Sequence, residues 1–359
     1  MKNKTSDVTI RVVSHRRLTV FFQSVNNVSI SEEASAIRSP ADYELWALLD
    51  ATGFAISRLR GLELAQFHLT IEQAAVLKLI RTMDRGTTVK EMKDATLRQQ
   101  HTMSILVNRM ARTGLVAKER RLGERESRIL ITKEGRALLD GVSTTSLEAV
   151  FSAITPKEKR RLACSLRALH EKARSLLVAD TPPFMRYITR GVAEDSTTQE
   201  SSGDERFSDY MLWSSLDATR FAISRLRELE LARFSLTVEQ ASILKVLRGR
   251  SVSVTVRDLE DITLRQHHSV STLVNRMMRM GLVGKEKNPG EKSYRIFITG
   301  GGKDLFDRIT TAAIDMTFSS LTEREKRHLA TCLHSLHASA RSLLGVPGIP
   351  DSTAVPSSA

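Results

Sequence analysis

Apolar residues at Trp46, Leu49, Phe54, Leu59 and Leu62 recur at near-helical spacing with polar residues between them, predicting an amphipathic first helix. Leu69-Thr70 then offers an N-cap, and Gln73 three residues on completes a capping-box pattern for a second helix through Leu79. Thr88, Val89, Met92 and Ala95 mark a short third helix. After a break near Thr96, the stretch from Arg98 to Thr113 is apolar at Met103, Leu106, Val107 and Met110, and Gly114 closes it as a C-cap. Two short helices joined by a tight turn are thus adjacent. The β-leaning runs LVAKER and SRILIT follow, joined by a charged, glycine-containing segment, which is the signature of a hairpin. Helical runs then cover Lys133 to Asp140 and Pro156 to Leu177, the second with Leu162, Leu166, Leu169, Ala173 and Leu176 on one stripe.

The same pattern returns at a constant shift of 167 positions, without a gap. AISRLR at Ala55 to Arg60 recurs at Ala222 to Arg227, LVNRM at Leu106 to Met110 at Leu273 to Met277, and ARSLL at Ala173 to Leu177 at Ala340 to Leu344. Roughly half the positions of 42–177 are identical to their counterparts, which reads as duplication of a unit of about 135 residues, too long for a solenoid repeat. The expected organisation is an N-terminal extension over 1–40, a first copy over 41–178, a polar linker over 179–207 rich in Ser, Thr, Pro and Gly, a second copy over 208–345, and a flexible tail over 346–359. Alternation around Val8 to Val13 suggests a short strand in the extension.

Composition narrows the class. With 41% hydrophobic, 26% charged and only 5% aromatic residues, the chain reads as globular and mainly helical, with small β-hairpins. Its 54 Lys and Arg against 41 Asp and Glu give a net charge of +13, so a polyanion is the natural partner. No apolar run approaches a membrane span, and the Met1 region lacks the apolar core of a secretory signal, so a cytoplasmic location is expected. The two cysteines, Cys164 and Cys332, are not equivalent under the repeat and are read as buried packing on the apolar side of a late helix. A redox role, tied to Cys164, is the weaker alternative.

The element order, with TGLV before the hairpin and ITKEG after it, resembles the MarR (multiple-antibiotic-resistance regulator) family of winged helix-turn-helix transcription factors. The resemblance covers 42–177 and again 209–344, and its most specific stretches are TMSILVNRMARTGLV at Thr102 to Val116 and SVSTLVNRMMRMGLV at Ser269 to Val283. It implies two tandem winged-helix domains and binding of double-stranded DNA. Family members are two-fold dimers joined by their first and last helices. Here the Trp46 and Trp213 helices and the Leu162 and Leu329 helices are expected to form that joint within one chain, as a monomeric pseudo-dimer. The resemblance further implies a small effector, often aromatic or anionic, bound between the dimerisation and DNA lobes, without naming its residues, and a role read as repression.

A recognition helix must be apolar toward its domain and polar toward the major groove. Gln99, Gln100, His101, Ser104 and Asn108 fall on the polar side of the first candidate helix, with Gln266, His267, His268, Ser271 and Asn275 as counterparts. A merely solvated polar face is the plainer alternative for any one of them. Arg98, Arg109 and Arg112, with Arg265, Arg276 and Arg279, suit phosphates, where cations position without specifying sequence. In the hairpins Lys118, Arg120, Arg121, Arg125 and Arg128 form a basic arm, matched by Lys285, Lys287, Lys292 and Arg295. The resemblance places a minor-groove arginine at Arg125 and its counterpart at Lys292. The family's usual Asp two positions earlier is Gly123 and Gly290 here, and Asn288-Pro289-Gly290 leaves the second hairpin less basic, so minor-groove insertion is expected of the first. Because Gln100 corresponds to His267 and Ile105 to Thr272, the DNA site is expected to be an imperfect palindrome.

No phosphate-cradling glycine loop, nucleophile elbow or metal-ligand spacing is present, so neither an enzyme nor a cofactor is expected. The competing readings are charge-driven architectural binding of nucleic acid and a protein-interaction module that keeps the fold.

Overall fold

The computed structural model describes residues 40–83, 85–96, 98–120, 126–177, 208–249, 253–287 and 293–346. The strand expected near Val8, the 179–207 linker and most of the tail lie outside them. The elements are helices α1 (Pro40–Ala65), α2 (Ile71–Arg81), α3 (Val89–Thr96) and α4 (Gln100–Arg112), strands β1 (Val116–Glu119) and β2 (Arg128–Ile131), then α5 (Lys133–Gly141), α6 (Thr145–Phe151) and α7 (Pro156–Leu177). From Asp209 the same order follows: α8 (Asp209–Leu231), a 3-10 turn, α9 (Val238–Arg248), β3 (Val254–Thr255), α10 (Val256–Thr263), α11 (His267–Arg279), β4 (Val283–Glu286), β5 (Arg295–Ile298), α12 (Gly300–Arg308), α13 (Ala312–Phe318) and α14 (Glu323–Leu343).

Local signals place most of these boundaries. The Thr70 hydroxyl accepts from the Gln73 amide at 3.2 Å while the Gln73 side chain accepts from the Thr70 amide at 2.8 Å, and Thr237 and Gln240 repeat this box at the start of α9. Gly114 ends α4 at φ +75°, a left-handed conformation that costs a glycine little. Three features differ from the sequence expectation. Helix α6 is additional, its Leu147, Val150 and Phe151 buried in too short a run to show a period. Each hairpin gains a third pairing, a bridge from Thr87 to Ile129 in the first half and strand β3 against β5 in the second. Leu62, assigned to the apolar stripe of α1, is 61% exposed, because the buried face runs instead through Leu49, Ile56 and Leu64.

The buried apolar side chains fall into three clusters. One fills the lobe of α2 to α5 and another that of α9 to α12. The third is shared, with α1, α6 and α7 supplying Trp46, Phe151 and Leu166, and α8, α13 and α14 supplying Trp213, Phe318 and Leu333. Polar contacts across it are reciprocal. Lys159 pairs with Asp209 at 2.5 Å and Lys326 with Asp42 at 2.7 Å, while the Thr52 hydroxyl donates to the Leu333 carbonyl and that of Thr219 to the Leu166 carbonyl. Under the 167-residue shift each contact is the image of the other, the pattern of an isologous interface. At its centre Arg161 meets its own counterpart, His328, at 3.2 Å.

One crossing is not reciprocal. Gly53 lies so close to α8 that a Cβ there would sit 2.7 Å from the Arg220 side chain and 2.8 Å from that of Leu216. Arg220 occupies the position corresponding to Gly53, and it pairs with both Asp50 (3.3 Å) and Asp217 (2.9 Å), themselves counterparts. Burial opposes its charge, but the two carboxylates outweigh burial and raise its pKa.

Each first helix is also fastened at its end by a buried pair. Arg60 binds Glu63 and the Ser143 carbonyl, and Arg227 binds Glu230 at 2.5 Å together with the Thr310 carbonyl. The Arg227 and Glu230 side chains are 2% and 0% exposed, so replacing one leaves the other buried and uncompensated. Arg227→Met is expected to lower the unfolding free energy in urea by about 3–5 kcal/mol, with Arg227→Met/Glu230→Leu recovering most of it. A loss under about 1 kcal/mol would contradict this role. His170, on α7, is almost fully buried, and burial first, then Arg174, lower its pKa to about 4, the Ala218 backbone counteracting only in part. The unfolded chain therefore takes up this proton first, so stability present above about pH 6.5 is lost as the pH falls toward 4, by an order of 3 kcal/mol. Melting temperatures at pH 7 and pH 5 should differ, and His170→Gln should narrow the gap; an unchanged gap would refute the assignment.

Candidate nucleic-acid interface

Helices α4 and α11 stand free of their lobes on one side. Met103, Val107 and Met110 anchor α4 in its lobe core, and Val270, Val274 and Met277 do the same for α11. The opposite side carries Gln99, Gln100, His101, Asn108, Arg109 and Arg112, all exposed, with Ser104 half-buried. On α11, Gln266, His267, His268, Asn275, Arg276 and Arg279 are exposed and Ser271 is half-buried. Neither helix has an acidic residue in its first turn or a side-chain N-cap, so its first backbone N–H groups stay available to an anion.

Several candidates already have partners. Asn108 accepts from the Lys118 ammonium, and Asn275 from Lys285 at 2.8 Å, so these asparagines and lysines hold each hairpin against its helix. His267 is engaged by Glu260. Arg128, expected in the basic arm of the first hairpin, reaches the Gly86 carbonyl, and Arg295 in the second reaches the Ser253 carbonyl at 3.2 Å, so both brace the hairpin base. Arg120 and Lys287 are exposed, the latter 5.7 Å from the Tyr294 ring. Arg121, Arg125 and Lys292, with the hairpin tips, lie outside the described residues.

Arg98 and Arg265 have partners as well. Read as phosphate ligands, they lie half-buried before α4 and α11, paired with Glu72 at 4.0 Å and Glu239 at 3.5 Å. Each also faces an aromatic ring of the other half, Arg98 toward Phe221 and Arg265 toward Phe54, both at 5.4 Å. Arg58 of α1 adds a bond to the Leu264 carbonyl at 3.0 Å, in the turn before α11. The turns that precede α4 and α11 are thereby fastened to the shared joint. The adjacent basic and glutamine residues gave no signal of this, because the rings concerned are more than a hundred positions away in the sequence.

Sequence reasoning located no effector residues. Between α2, α3 and α8 the structure contains a cavity of about 300 Å³ whose walls include Lys78, Leu79, His170, Tyr210, Trp213 and Phe221. Cysteine placement needs correction as well. Cys332 is buried, but Cys164 is exposed on α7 with the Arg167 guanidinium 3.7 Å away, so it is not a packing residue. Among the described residues no helix is long and apolar enough to cross a membrane, and no group of three or more His, Cys, Asp and Glu side chains could hold a metal ion.

Residues 234–292 match the sequence profile of the MarR family. Among solved structures, apo MarR from E. coli is 19% identical over 32% of this chain and 87% of its own, with a TM-score of 0.29. The ligand-free organohalide-sensing transcriptional regulator RdhR is 25% identical over 42% of this chain and 91% of its own, with a TM-score of 0.36. A MarR-family transcriptional regulator from Rhodococcus sp. RHA1 is 19% identical over 37% of this chain and 97% of its own, with a TM-score of 0.33. No curated protein matches the chain. The matched segment takes in α9, the α10–α11 pair and the β4 side of the hairpin, so it is on this helix-turn-helix and wing, residues 234–292, that the chain carries the MarR-family pattern.

Proposed function

We propose that this chain is a transcription regulator of the MarR type that binds double-stranded operator DNA, with two winged helix-turn-helix lobes of one chain acting as a pseudo-dimer. The observation that carries the reading is the reciprocal set of contacts around the shared core, Lys159 with Asp209 and Lys326 with Asp42, which joins two lobes that each present a polar helix face beside a hairpin. A net charge of +13 and the family match in 234–292 support it. The matched family is one of transcription regulators, not enzymes. The apo and 2,4-dichlorophenol-bound forms of RdhR show one relative of this shape with a small ligand. By the same reading the interlobe cavity here takes an effector that alters the spacing of α4 and α11.

In this reading Gln100 and His101 face bases in one half-site and His268 in the other, while Arg109, Arg112, Arg276 and Arg279 meet phosphates. The joint fixes the two helices relative to one another, and their unlike side chains make the half-sites unlike. Selection of bound duplexes from a random pool should return an imperfect palindrome, and a perfect one would count against unequal reading. Gln100→Ala should relax preference in one half-site by about 1–3 kcal/mol, measured by competition between duplexes. Arg112→Ala should instead weaken binding to all sequences alike and lower the salt slope by about one. Equal affinity for selected and scrambled duplexes at two salt concentrations would replace this reading with architectural binding.

A further inference from the structure

The exposed face of α4 is not uniformly polar. Ile105 stands on it 47% exposed and lies outside the apolar cluster of its lobe. At roughly 100° of turn per residue, it projects away from Met103, Val107 and Met110, which anchor the helix. Its neighbours three and four positions away on the same face are His101, Thr102, Asn108 and Arg109, all exposed. Met278, an exposed apolar side chain of α11, is a different case, since it lies one turn after the buried Val274, at the edge of the anchored side. Packing does not account for an isoleucine at position 105, and helix propensity does not either, because a β-branched side chain is a weaker helix former than alanine, lysine or glutamate. Single exposed apolar residues are common on protein surfaces. This one, however, is the centre of a face ringed by imidazole, amide and guanidinium groups, and its counterpart Thr272 is exposed too and again β-branched, with a methyl on Cβ.

Base edges in the major groove differ in what they offer such a side chain. Thymine presents a methyl group, whereas cytosine, adenine and guanine present only donors and acceptors in their place. Isoleucine has neither donor nor acceptor. Against a polar edge it displaces water and returns no hydrogen bond, and against the thymine methyl both apolar groups leave water together. Thr272 can pack its methyl in the same way or turn its hydroxyl to a polar edge, so it discriminates less between base pairs.

We propose that Ile105 reads the 5-methyl group of one thymine in the half-site that α4 faces, and that Thr272 leaves the equivalent base pair of the other half-site weakly specified. This rests on the DNA-binding function proposed above, and its test separates the two. The full chain is titrated with the duplex it selects from a random pool, whose thymines are replaced one at a time by deoxyuridine, which lacks only the methyl. At one position the replacement should weaken binding about fourfold, the worth of one buried methyl, and at the equivalent position of the other half-site less than about twofold. Ile105→Ala should bind the thymine and deoxyuridine duplexes alike at the first position. Thr272→Ile should raise the loss at the second to about fourfold, a gain that no failure of folding can imitate. Because the methyl is what is read, 5-methylcytosine in place of the first thymine should cost less affinity than cytosine. Selective binding in which no deoxyuridine weakens the complex, or in which the loss persists unchanged in Ile105→Ala, would overturn the assignment of Ile105 and leave the DNA-binding reading standing. A chain that selects no duplex from the pool would overturn both.

Discussion

Arg220 lies across Gly53 with its guanidinium between Asp50 and Asp217, at the point where the first helices of the two halves cross. Two equivalent acids share one base there, and the missing side chain of one half makes room for the long side chain of the other. Neither half could form this crossing with a copy of itself. Two glycines would leave a gap between two unpaired carboxylates, and two arginines would compete for one space. The fit therefore favours the pairing of unlike halves over that of like ones.

From that crossing the joint reaches outward to the helices that face solvent. Arg98 against Phe221 and Arg265 against Phe54 tie the turn of each lobe to the first helix of the other half. Arg174 and Arg341 hold the ends of α3 and α10, through the Asp94 and Asp261 carbonyls. The positions of α4 and α11 are consequences of packing at the joint, and the cavity lies where those ties pass, between α2, α3 and α8. Arg98 and Phe221, one of those ties, are themselves part of the cavity wall. On the proposed reading, coupling between a ligand and DNA needs no separate relay, only a change in how one lobe sits on the shared core.

Much of this was legible in the sequence because it is written locally. The Thr70–Gln73 box, the Gly114 cap, the stripe of α7 and the hairpin runs each depend on residues a few positions apart. The features that escaped are of other kinds. Helix α6 is too short to display a period. The positive charges of Arg98, Arg265, Arg128 and Arg295 said nothing about distant rings and carbonyls that claim them. Cys164 lies one position away from the buried register that Cys332 occupies in the second half, and a single step around a helix was enough to turn it outward. Gly53 carries no local signal, because the space it leaves is needed by Arg220, 167 positions away.

On the proposed reading one chain, closed on itself through unlike halves, is a two-armed reader of DNA. Light scattering of the purified chain, alone and with a selected duplex, measures this most directly. A pseudo-dimer of this kind has the mass of a single chain in solution and stands as one chain per duplex in the complex. An obligate dimer of chains, or a complex that assembles only with two chains on each duplex, would contradict it.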